Sequence, residues 1–128
     1  MKFDRKDPPR EFTVGEHGDI IIKDQGNLHL TADEQVTFVT ESGAEYDFAR
    51  KDWGYYASPS LNGRLEGFNL RTALTRNPAT GRYFILVVER GHEDSFQRYL
   101  DVEKLDIVTW MDDTASLDRL RAAVESAE

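Results

Sequence analysis

Between Arg82 and Val88 the chain reads RYFILVV, with no polar residue after the arginine. A strand of that composition has no face to turn to water. Both faces need cover, and a strand covered on both faces belongs in the middle of a sheet. The flanking residues suggest its partner. Pairing Arg76 with Arg82 across Asn77-Pro78-Ala79-Thr80-Gly81 sets Leu74 against Phe84 and Leu70 against Val88, one continuous apolar face. Arg71, Ala73 and Thr75 then share the other face with Val87, Ile85 and Tyr83. The sequence thus predicts a hairpin over 68–76 and 82–90, with Phe84, Leu86 and Val88 in a central strand.

Upstream, residues 1–10 predict a flexible or loosely docked tail, because Pro8-Pro9 continue neither a helix nor a central strand. A short strand is expected over 11–14. Two hairpins follow on one device. Pairing Ile22 with Leu28 leaves Asp24-Gln25-Gly26 as a loop, and pairing Phe38 with Tyr46 leaves Glu41-Ser42-Gly43. Both loops end in glycine, as a type I turn closed by a left-handed bulge residue demands. A two-residue Ser42-Gly43 loop would set Phe38 opposite Asp47 and defeat the apolar pattern. Residues 53–57 (WGYYA) read as a short strand, ended by Ser58-Pro59-Ser60. Asn62-Gly63 then marks a turn.

The last third changes period. Glu93 and Asp94 suit the positive end of a helix striped by Phe96, Tyr99 and Leu100. Leu105 to Met111 reads as a strand, and the span from Gly91 to Lys104 is long enough for a crossover helix between parallel strands. Asp112, Asp113 and Thr114 offer a cap for a final helix striped by Leu117, Leu120, Val124 and Ala127. The expected fold is α+β: an antiparallel meander of hairpins, one β-α-β unit and a C-terminal helix, in a mixed, mostly antiparallel sheet. One domain over 11–128 follows the 1–10 tail.

Charge and composition exclude several functions. A net charge of −8 over 128 residues argues against nucleic acid, whose phosphates need clustered lysine and arginine. Residues 50–82 nevertheless carry six basic residues against Asp52 and Glu66, a balance of +4 that leaves −12 elsewhere. The chain has no cysteine, so disulfides, thiolate metal sites and thiol nucleophiles are out. Its longest apolar run, Phe84 to Val88, is far too short to cross a bilayer, and no apolar segment follows the N-terminal charges. A cytoplasmic protein is expected. His17, His29 and His92 have no metal-ligand spacing, and the glycines fall in turns rather than in a phosphate loop, so neither metal nor cofactor is expected. Ser58 and Ser60 lack the surroundings of an activated nucleophile.

The region from Trp53 to Arg71 carries what chemistry there is. Trp53, Tyr55, Tyr56, Asn62, Arg64, Asn69 and Arg71 offer rings for stacking and guanidinium forks for phosphate or carboxylate. Strand alternation gives the plainer reading, in which Trp53 and Tyr55 share a core face with Tyr56 opposite. Arg64 and Arg71 ask for an anionic partner, from Asp52, from Glu66 or from a ligand.

DWGYYASPSLNGRL, RTALTRN and GRYFILVVERG, followed by FQRYL and VTWMDD, resemble a small family of uncharacterised bacterial proteins over roughly residues 15–113. The resemblance implies an association with surface-polysaccharide or sugar-nucleotide genes and assigns no catalytic residue. Three readings follow. The first is an accessory domain binding a small anionic molecule, of sugar phosphate or nucleotide type, or a protein partner. The second is a small enzyme on a sugar or nucleotide derivative, with Asp52, Tyr55 or Tyr56 as acid–base groups. The third is a homodimerisation module.

Overall fold

The chain begins with a strand where the sequence predicts a tail. The computed structural model describes residues 1–127, and in it β1 (Lys2–Val14) pairs antiparallel with β2 (Ile20–His29). The residues divide into two compact units. One comprises Met1–Val36 and Phe48–Ala57; the other comprises Thr37–Asp47 and the chain from Ser58 onward.

In the first unit, the predicted Asp24-Gln25-Gly26 loop is instead an irregularity inside β2. The register with β1 shifts between Arg5 and Arg10, and the stretch bypassed on β1 holds Pro8 and Pro9, which have no ladder donor to lose. Asp24 holds the break together. Its carboxylate accepts from Lys6 Nζ at 2.6 Å, Arg10 Nε at 3.3 Å and the Gly26 N–H at 3.0 Å. Aspartate and glycine serve a bulge as readily as a turn, and a thirteen-residue β1 pairs with both halves of the segment. Gly26 has φ 139°, and a Cβ there would lie 2.1 Å from the Asp4 carbonyl oxygen.

Three further strands, β3 (Gln35–Val39), β4 (Glu45–Lys51) and β5 (Gly54–Tyr56), form a sheet in that order, and both units draw on β3 and β4. The predicted three-residue loop is present. The Thr40 N–H donates to Ala44 O, the Gly43 N–H donates to Thr40 O, and Gly43 has φ 92°. Thr37 Oγ1 donates to Asp47 Oδ1 across the strands at 2.7 Å. Phe38 therefore lies opposite Tyr46, in the register that the apolar pattern requires.

The second unit holds the sheet β7-β6-β8, made of β6 (Leu70–Asn77), β7 (Arg82–Glu89) and β8 (Asp106–Trp110). Two expectations are corrected here. β7 is an edge strand, and β6 is the central one. Leu70, Thr72, Ala73 and Thr75 of β6 are buried, whereas Phe84 of β7 is 44% exposed. The hairpin register also slips by one: Asn77 pairs with Arg82, Thr75 with Phe84 and Arg71 with Val88. Asn77 explains the slip. Its Oδ1 accepts from the Ala79 and Thr80 N–H groups, and its carbonyl accepts from the Gly81 N–H at 2.8 Å. The turn is thus closed one residue earlier, and a one-residue slip moves every side chain to the other face.

Because β7 and β8 both run antiparallel to β6, they are parallel to one another with β6 between them. Helix α2 (Glu93–Glu103) makes the crossover, burying Leu100 and setting Phe96 against Trp110 with ring centroids 5.9 Å apart. On the other face, Leu70 packs with Ala44, Leu65 and the partly buried Tyr46 and Leu61, Leu65 coming from the one-turn helix α1 (Arg64–Gly67). The closing helix α3 (Thr114–Ala127) is capped by Asp113, which accepts from the Ser116 N–H at 2.6 Å; this bond holds the Asp113 carboxyl below its ordinary range. Its predicted stripe exists, but no residue of α3 is buried.

Candidate functional site

The seven residues singled out by sequence are divided between the units. Trp53, Tyr55 and Tyr56 belong to the first; Asn62, Arg64, Asn69 and Arg71 belong to the second. Lys51 pairs with Gly54, so Trp53 sits in the two-residue turn joining β4 to β5 and is 70% exposed. Its expected place on a core face is corrected by that tight turn. Tyr55 is 56% exposed; its ring lies 5.1 Å from that of Phe48, with the Arg50 guanidinium at 5.7 Å. Tyr56 is exposed at the end of β5. Arg50 is engaged through Nη1, which donates to Gly54 O at 3.0 Å.

Arg64 and Arg71 each meet a carboxylate, and neither carboxylate is Asp52 or Glu66. Arg64 Nη2 lies 2.8 Å from Asp47 Oδ2, and the guanidinium covers the Phe68 ring at 4.9 Å. Arg71 Nε donates to Asp112 Oδ2 at 3.0 Å and stacks on Trp110, 3.6 Å from the ring centroid. Arg90 Nη2 reaches the same oxygen at 3.3 Å. Asp112 is buried, so two guanidinium groups converge on one desolvated charge. The cross-strand register could have revealed Asp112, because continuing the pairing of Ala73 with Trp110 brings it opposite Arg71; Asp47 reaches Arg64 of α1, which no strand register relates to it.

The two asparagines serve the chain itself. Asn62 Nδ2 donates to Thr114 Oγ1 at 3.1 Å. Asn69 takes a left-handed φ of 67°, which asparagine tolerates better than most residues, and closes the β6–β7 hairpin by accepting from the Arg90 N–H at 2.9 Å.

A concavity in this unit lies elsewhere. A groove of about 250 Å³ is bounded by Phe38, Val39, Ala44, Tyr46, Leu70 and Val87, with Thr40 beside them. The Ser42 hydroxyl donates to the Glu89 carboxylate, and the Ser42 and Thr40 hydroxyls hold that carboxyl below its ordinary range. Beyond Val87 the same face continues along β7 through Ile85 and Tyr83, 56% and 60% exposed. Sequence reasoning assigned these residues to the core, so it could not find a surface there.

Compared with protein-family models, with curated proteins and with solved structures, the chain matches none. The resemblance drawn from its motifs therefore assigns no role to any of these residues. Among the described residues, no group of three or more histidine, aspartate or glutamate side chains is placed to hold a metal ion, and no helix is long and apolar enough to cross a membrane.

The edge of β7 has a definite hydrogen-bonding parity. The Arg90 N–H donates to Asn69 O, one step beyond the pairing of Leu70 with Glu89. Bonded pairs alternate along an antiparallel ladder, so Arg82, Phe84, Leu86 and Val88 direct their backbone groups toward β6. Tyr83, Ile85, Val87 and Glu89 direct theirs toward the free edge. Tyr83, Ile85 and Val87, whose side chains are exposed and apolar, thus also turn their amides and carbonyls outward.

Proposed function

We propose that the protein is a non-enzymatic interaction module that takes up an extended, apolar segment of a protein partner along the β7 edge. What carries the reading is the coincidence at Tyr83, Ile85 and Val87 of outward backbone groups with exposed apolar side chains. An added strand gains main-chain bonds from the first and pockets for alternate side chains from the second. An exposed apolar edge strand is otherwise a liability that proteins blunt with charge or cover. Here the nearest charged positions of β7 are its ends, Arg82 and Glu89.

The anionic-ligand reading has less support, because Asp47 and Asp112 neutralise Arg64 and Arg71. The enzyme reading rests on Asp52, Tyr55 and Tyr56, three exposed groups of one hairpin. A nine-residue peptide of alternating valine and threonine, flanked by lysines, tests the module. Added to the labelled protein, it should slow amide exchange at Tyr83, Ile85 and Val87 and leave Phe84 and Leu86 unchanged, since their amides are already bonded to β6. Protection of both sets alike, or of neither, would refute the reading.

A further inference from the structure

We infer that the partner of the β7 edge is β7 of a second copy of this chain, paired antiparallel about a two-fold axis at Ile85. The inference rests on the edge being a docking surface and adds who docks there. A two-fold antiparallel pair sets one residue opposite itself, and when that residue faces outward the central pair is a hydrogen-bonded one. Ile85 is the middle one of the three exposed apolar residues of the outward row. Centring on it sets Tyr83 of each copy opposite Val87 of the other. The contact is then made by Ile85 against Ile85 and by two aromatic–β-branched pairs, a favourable cross-strand combination. The three apolar outward residues of one copy meet those of the other, and no bond to β6 is broken.

Charge and shape fit the same register. Gly81 comes opposite Glu89 of the second copy. The Arg76 guanidinium already lies over Gly81, 3.9 Å from where a Cβ would stand. One Arg76 guanidinium at each end is thereby brought toward Glu89 of the opposite copy, whose carboxylate also accepts from Ser42. Val87 also bounds the groove beside Ala44, Tyr46 and Leu70, so the Tyr83 ring of the second copy arrives at its mouth. The four half-exposed side chains Tyr83, Phe84, Ile85 and Val87 offer roughly 400 Å² per copy, taking about 200 Å² for a whole aromatic side chain. That is about half of what a standard interface takes from each partner. The dimer is accordingly weak, with a dissociation constant in the micromolar range.

Sedimentation equilibrium of the full chain from about 5 to about 500 μM brackets that range. Wild type should pass from monomer to dimer, and Ile85→Lys should raise the dissociation constant at least tenfold with an unchanged circular dichroism spectrum. Register is read by cross-linking. The chain has no cysteine, so a single introduced one can only bridge copies. Ile85→Cys should oxidise readily to a dimer, since bonded antiparallel partners stand about 5.5 Å apart at Cα, within disulfide reach. Tyr83→Cys should not, because its counterpart lies four residues along the strand, about 13 Å away. Equal cross-linking at both positions would overturn the register. A wild type that stays monomeric, while the valine–threonine peptide still protects Tyr83, Ile85 and Val87, would overturn the second copy and leave the module standing. A monomer that also ignores the peptide would end both.

Discussion

Replacing Arg71 with leucine separates a structural arginine from a ligand-binding one. In the folded chain Arg71 is 23% exposed, and its partner Asp112 is 5% exposed at the side chain. Removing one member of a buried ion pair costs about 3–5 kcal/mol, because the other charge is stranded out of water. Arg90 still reaches Asp112 Oδ2 at 3.3 Å and softens the loss. The stack on Trp110 adds about 1 kcal/mol for a partly desolvated cation–π contact. The expected destabilisation is therefore about 3–4 kcal/mol, a large share of the roughly 5–15 kcal/mol available to a domain. Substituting both residues, Arg71→Leu with Asp112→Leu, removes the stranded carboxylate, so the double variant should be more stable than Arg71→Leu alone. Urea midpoints of wild type, both single variants and the double variant close the cycle. Titration with phosphate and with a sugar nucleotide should show no difference between wild type and Arg71→Leu. An Arg71→Leu protein of wild-type stability that has lost phosphate binding would refute the argument and restore an anion site.

Gly26→Ala should cost more than Gly43→Ala. At Gly26 the new Cβ meets the Asp4 carbonyl oxygen, whereas at Gly43 it meets open space and only the positive φ is penalised, at about 1–2 kcal/mol; equal urea midpoints would contradict this. Asp24 is held at about 2, below its ordinary 3.8, by Lys6 first and then by the Gly26 N–H. Its contribution to stability is complete above pH 4 and is lost as the pH falls through 2, so Asp24→Asn should flatten the acid limb of the stability profile between those values. Phe84→Ala should cost well under the roughly 3–5 kcal/mol of a buried phenylalanine, because Phe84 is half-exposed on an edge strand; a full core-sized loss would show that it is covered in solution.

The α+β class, the order of strands and helices from β3 onward apart from the one-turn α1, the Glu41-Ser42-Gly43 loop and the Asp113 cap are legible because each rests on local chemistry. What failed depended on partners distant in sequence. Composition points RYFILVV to the sheet centre because it speaks of burial without saying what covers a strand. LRTALTRN took that place, helped by Thr75, whose hydroxyl donates to the Phe84 carbonyl oxygen at 3.1 Å and so lies buried without an unmet bond. The register of their hairpin was hidden in one asparagine side chain. Pro8-Pro9 correctly argued against a regular ladder, but not against a strand interrupted where they stand. At the candidate site, types were read well and partners poorly. Arg64 and Arg71 do require anions, and Asp47 and Asp112 supply them from 17 and 41 residues away in sequence.

The chain passes between its two units three times, after Val36, Asp47 and Ala57. Residues 37–47 bring Ala44 and Tyr46 to the cluster around Leu65 and Leu70, whose other members all follow Ala57. A gene cut at the last crossing would therefore encode a C-terminal product with every strand of the β7-β6-β8 sheet and part of its core missing. The N-terminal product would carry an orphaned hairpin tip. The dependence is one-sided: a single breakpoint there keeps every residue of the first unit together, but it cannot transfer the second unit whole, because residues 37–47 of that unit lie upstream of the cut.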